Sequence, residues 1–154
     1  MLPFIVLVIA TMLLKAIGAA GVPLFSNWTW CLRGGLAVMF LLTASAHWGK
    51  QRADLVAMVA RVFPRPDLMV SATGEFEIFG AVGLLIPAMA PVAATCLAML
   101  LIALFPANIR AAREHLTIGG RPVTAWPLRT LLQLVLLAAV LVAGFPGAFP
   151  FGAR

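Results

Sequence analysis

The chain has 154 residues, of which 63% are hydrophobic and 10% charged. An ordinary soluble domain carries about 25% charged residues, so a soluble fold is excluded and one small all-α bundle in lipid is the natural reading. The net charge of +6 comes from basic residues spread between apolar stretches, a pattern that sets topology in a membrane protein and offers no basic face to nucleic acid.

Residues 2–20 are apolar apart from Thr11 and Lys15. A cleaved secretory signal carries its positive charge before the apolar core, whereas Lys15 lies beyond it, so a first membrane helix is expected. Residues 21–31 form a loop ending in Trp28 and Trp30, residues suited to the headgroup level. A second span is expected over 32–48, from Leu32 with Arg33 at its mouth to His47-Trp48. Leu55, Met58, Val59, Val62 and Phe63 then recur on one helical face. The stretch 51–63 is too short and too charged to span, so it reads as an amphipathic helix in the interface, ended by Pro64 and Pro66.

Two long apolar runs follow, read as spans over 72–88 and 91–109 and joined at an uncharged corner from Pro87 to Pro91. Pro106 removes the bond to the carbonyl of Ile102, which then needs another partner. Residues 114–127 read as a polar loop with a Gly-Gly turn, and a fifth span runs over 128–145. Lys50, Arg52, Arg61, Arg65, Arg110, Arg113, Arg121 and Arg129 all fall on one side of these five spans, so the positive-inside rule puts the N-terminus inside and the C-terminus outside. Trp48 and Trp126 then mark the inner interface.

With this topology His47, Glu75, Glu77, Asn108, Arg129 and Gln133 are expected to converge in the cytoplasmic half. Ionisable groups inside a span are costly unless paired or functional. Glu77, about one and a half turns into its helix, either handles a proton or anchors a polar ligand beside His47; alternatively it pairs with an Arg or His while Asn108 and Gln133 tie helices together. Glu75 reads as a carboxylate near the start of the same helix, favoured by the helix dipole. Arg33 either binds a lipid phosphate or carboxylate at the outer face or simply snorkels there. Cys31 and Cys96 form no CxxC and differ in depth, so they read as packed thiols rather than a disulfide. His47 and His115 lack the further ligands a metal or haem site needs. No phosphate loop, HExxH or nucleophile motif is present, and no catalytic residue is assigned.

From Arg33 to about Val142 the chain resembles the DoxX-like membrane proteins (the DoxX, DoxD and MauE type). The matching residues are Arg33-Gly-Gly followed by Phe40, His47-Trp48 where relatives typically carry His-Phe, Phe63-Pro-Arg-Pro-Asp-Leu, Gly74-Glu-Phe-Glu77-Ile, Phe105-Pro-Ala-Asn108-Ile, and Leu128-Arg129 with Leu132-Gln133. The resemblance implies a four-helix transmembrane bundle preceded here by one extra N-terminal transmembrane helix, in a bacterial cytoplasmic (inner) membrane. It singles out Arg33, His47, Glu77, Asn108 and Gln133. It also implies a redox setting, since relatives are membrane subunits of thiosulfate:quinone oxidoreductase, partners of oxidative-stress proteins, or maturation factors for periplasmic amine dehydrogenases. This chain has no cysteine pair or fixed cofactor ligand, so the redox role rests on analogy.

The expected function is a non-catalytic, redox-associated subunit, at most a membrane subunit of an oxidoreductase. It binds a quinone or other small lipophilic ligand, or docks a partner redox enzyme. The alternatives are a small proton-coupled transporter using Glu77 and a structural scaffold. Small-residue spacings such as Ala94-xxx-Ala98 and Ala139-xxx-Ala143 serve packing within one chain or in a homo-oligomer equally well.

Overall fold

Asn27 decides where the second helix starts. Its side-chain oxygen accepts a hydrogen bond from the Thr29 amide at 2.7 Å, a helix N-cap, so the helix begins at Trp28 rather than Leu32. A second shift comes from proline. Pro66 ends nothing; it opens the next helix, where its missing N–H has no bond to lose. The computed structural model describes residues 2–59, 64–122 and 124–148. Its helices are α1 (Leu2–Ala19), α2 (Trp28–Ser45), α3 (Arg52–Met58), α4 (Pro66–Leu85), α5 (Ala90–Arg113) and α6 (Trp126–Gly144). The amphipathic stretch is thus shorter than expected. Of its apolar face Val62 and Phe63, with the neighbouring Arg61, lie outside the described residues, as does the C-terminal tail beyond 148.

The chain turns sharply between α4 and α5 at residues 86–89, as the two prolines of the corner predict. Pro106 stays within α5 without ending it. The polar loop after α5 holds a short antiparallel pair, β1 (Thr117–Ile118) and β2 (Arg121–Pro122). Gly119 and Gly120 form its two-residue turn with φ of 58° and 73°, the left-handed region that such hairpins require.

Helices α2, α4, α5 and α6 form a closed ring in which each packs on the next and α6 returns to α2, while α1 packs chiefly on α2. Leu36, Phe40, Leu84, Leu97 and Val140 fill the centre. We call the end of the ring at residues 86–89 the corner end and the other the α3 end. The outside is strongly apolar: Phe76, Phe79, Ile102 and Leu134 are exposed, Phe79 to 71%. In water such a surface would aggregate; in lipid it is solvated. Helices α1, α4, α5 and α6 are each long and apolar enough to cross a membrane.

Between α1 and α2 one polar atom is stranded. Thr11 Oγ1 is buried with no hydrogen-bond partner and faces Gly35, where any added Cβ would collide with it. A buried hydroxyl without a partner costs about 1–3 kcal/mol. Thr11→Val, of the same shape, is therefore expected to raise stability by about 1 kcal/mol, and Gly35→Ala to lower it. Thermal unfolding of the detergent-solubilised protein checks both signs.

Candidate functional site

On α4 the buried positions Val70, Gly74, Glu77, Ala81 and Leu84 recur every three or four residues, so Glu77 occupies a place in the core stripe that an apolar residue would ordinarily take. It is only 7% exposed. Because α4 starts at Pro66, Glu77 lies about 16 Å along the helix at 1.5 Å per residue, close to its middle, and not at the one and a half turns expected. Facing it on α2 is Thr43, whose Oγ1 donates to Glu77 Oε2 at 2.6 Å. The same hydroxyl lies 3.0 Å from the Phe40 carbonyl. A hydroxyl has one proton, so it serves one of these acceptors at a time.

His47 sits in the turn beyond the last residue of α2, four residues on from Thr43, with Nδ1 3.1 Å from the Thr43 carbonyl. Its ring rests on Gly74, one turn of α4 from Glu77. A Cβ at that glycine would come within 2.8 Å of both His47 Cγ and the Trp48 ring, so only glycine admits the pair there. The two rings meet tilted, their centroids 6.1 Å apart. Arg52 of α3 fixes the turn, donating to the His47 carbonyl at 2.7 Å and to Ser71 Oγ on α4 at 3.0 Å. Burial holds the imidazole below its ordinary range; backbone bonds to Thr43 and Ala44 oppose this, and the Arg52 charge adds to it.

The remaining predicted residues form a second group between α5 and α6. Arg129 donates to Asn108 Oδ1 at 2.7 Å, and Gln133 donates to the Leu101 carbonyl, also at 2.7 Å. Leu101 immediately precedes Ile102, whose carbonyl loses its partner at Pro106, so the amide binds beside the disturbed turn. Among the described residues no hydrogen bond joins this group to Glu77. The expected single cluster is thus two clusters, one on each side of the ring. The pairing of Glu77 with an Arg or His is replaced by its bond to Thr43.

Glu75 is corrected as well. Two residues along a helix rotate a side chain by about 200°, so Glu75 points away from Glu77 and is exposed beside Phe76 and Phe79. It is also well inside α4, and Asp67 takes the first turn instead. At the corner end Arg33 does not snorkel; it is 6% exposed, donates Nε to the Ala143 carbonyl at 2.9 Å and lies over Trp30. Of the thiols, both free, Cys31 is packed and directed at the Phe25 carbonyl, whereas Cys96 is exposed. A surface cleft of about 490 Å³ opens on the Pro106 side of α5, lined by Phe105, Ile109, Arg110 and Arg113 and lying apart from Glu77.

Sequence reasoning missed Thr43 and Arg52. Thr43 had a usable signal, since it continues the Leu36–Phe40 face of α2 four residues before His47. Arg52 had none, because its bonds depend on where α4 begins.

The α5–α6 bonds share no partner, and their acceptors stand about two turns apart on α5 and their donors about one turn apart on α6. Asn108→Leu and Gln133→Leu are each expected to cost about 1–2 kcal/mol, with effects that add to within about 0.5 kcal/mol in the double variant. Unfolding in detergent measures all three.

A family model described as "Domain of unknown function (DUF8561)" matches residues 36–143. That range takes in both polar clusters and excludes α1 and Arg33. No curated protein and no solved structure matches the chain.

Proposed function

The chain belongs to this family of unknown function, and we propose that it is a multi-pass protein of a bacterial inner membrane in which α2 joins the four long apolar helices as a fifth span. On this reading it is a non-catalytic, redox-associated subunit that holds the polar head of a small lipophilic molecule of quinone type against Glu77, Thr43 and His47. The N-terminus lies in the cytoplasm and the C-terminus outside, by the distribution of basic residues. The redox association and the kinship to DoxX-like proteins rest on the sequence motifs.

One observation carries the reading. Glu77 is a buried carboxyl group near the middle of a long apolar helix, and among the described residues its bond is to a neutral hydroxyl and to no cation. A group so placed is expensive unless it has work to do. The chemistry around it suits a quinone: carbonyl oxygens need donors and hydroquinone hydroxyls need acceptors, and a carboxyl, a hydroxyl and an imidazole supply both. By contrast the α5–α6 bonds favour a scaffold role for Asn108, Arg129 and Gln133, since each satisfies its partner within the bundle. A proton-coupled transporter would use the same Glu77 but needs a wet path from both faces.

The test is native mass spectrometry with an absorption spectrum on protein extracted in mild detergent. Wild type is expected to retain a small lipophilic molecule that Glu77→Gln and His47→Leu lose, with little change in unfolding temperature. A bare wild-type protein, in preparations supplemented with ubiquinone, would overturn the ligand site and leave the scaffold.

A further inference from the structure

Arginine presents five N–H donors and keeps its charge in proteins. Arg33 is 6% exposed, yet among the described residues the structure gives it one acceptor: its Nε–H reaches the Ala143 carbonyl of α6 at 2.9 Å. Among the described residues its two Nη groups meet no carboxylate and no carbonyl. The chain has five acidic side chains, and all are placed elsewhere. Asp54 accepts from the Gly119 amide, Asp67 and Glu75 lie along α4, and Glu114 pairs with Arg110. Glu77 is engaged by Thr43, ten residues along α2 from Arg33 and so about 15 Å away by helical rise.

A largely enclosed cation is costly without a counter-charge, and nothing within the described chain supplies one. The geometry instead prepares the fork. The Nε tether fixes the plane of the guanidinium, and Trp30 lies alongside with its ring centre 5.6 Å away. Lys15 adds a second positive charge at the same end of the bundle, over Trp28 and bonded to the Ser26 carbonyl. A planar, pre-set guanidinium with two free NH₂ groups matches two oxygens of a tetrahedral or planar oxyanion.

We propose that the corner end of the bundle binds a phosphate-like oxyanion through the Nη edge of Arg33, which no described residue occupies, either as a free anion or as the headgroup of a phospholipid. Its tether to Ala143 orients the fork, and Trp30 covers one face of it. This site is independent of the Glu77 cluster, and ligand loss at one leaves the other intact.

The experiment uses the full chain, freed of lipid by exhaustive detergent exchange. Inorganic phosphate is titrated against chloride at constant ionic strength, and the unfolding temperature is read. In parallel, protein in nanodiscs of phosphatidylglycerol is analysed by native mass spectrometry for a retained phospholipid. Saturable stabilisation by phosphate with no retained lipid identifies a free anion; a single retained phospholipid that phosphate displaces identifies a headgroup. In either case Arg33→Gln is expected to abolish the effect and Arg33→Lys, which keeps the charge but lacks the fork, to weaken it about tenfold. A wild-type protein that neither gains stability from phosphate nor retains a phospholipid overturns the proposal, whether or not the variants fold. So does an Arg33→Gln protein that binds as well as wild type.

Discussion

A polar group enclosed in an apolar bundle has no water to turn to, and among the described residues the buried side chains other than Thr11 are arranged around that constraint. Gln133 reaches a backbone carbonyl on the neighbouring helix, Arg129 reaches Asn108, and Arg52 spends its donors on the turn after α2 and the start of α4. On the proposed membrane reading these bonds do what hydrophobic contact does in a soluble core, since lipid tails are as apolar as leucine and packing alone gives helices little reason to choose one partner over another. Against that background Glu77 and Arg33 stand apart. Each is buried, each has among the described residues a single side-chain hydrogen bond to a neutral group, and Arg33 is too far along α2 from Thr43, the partner of Glu77, for the two charges to serve one another.

Small residues let these polar contacts form. Gly74 admits the His47 and Trp48 rings, and Gly83 brings α4 so close to α5 that a Cβ there would lie 2.7 Å from that of Ala93. Close backbones shorten the reach that Thr43 must span to Glu77, so packing and polar chemistry depend on neighbouring positions of α4.

Much of this was legible in the sequence, and the errors share one cause. Apolar runs gave the existence and order of the long helices, and the prolines gave the corner at residues 86–89. Residue number along a helix also gives depth, although the caps shifted it: Asn27 and Pro66 each start a helix early, which moved Glu77 from the mouth of α4 to its middle. What residue number does not give is which helix lies opposite which. Glu77, His47, Asn108, Arg129 and Gln133 were grouped by depth alone, and the ring then divided them, two facing the α2–α4 seam and three the α5–α6 seam. Glu75 failed for a related reason, since two residues separate opposite faces of a helix.

That division makes the ring a pair of welded halves. Among the described residues, the hydrogen bonds of Thr43 and Glu77 lie within the α2–α4 half, and those of Asn108, Arg129 and Gln133 within the α5–α6 half. Besides the packing of α4 on α5 and of α6 on α2, the halves are joined at the corner end by the chain itself and by Arg33 on Ala143. At the α3 end they are linked through α3 and the residue after it, by Arg110 on the Val59 carbonyl and Asp54 on the Gly119 amide, both nearer to solvent. The molecule is built like a clothes-peg, sprung at the corner and latched at the far jaw. The least costly way to part its halves is to release that outer latch, which would widen the jaw while leaving every buried bond in place.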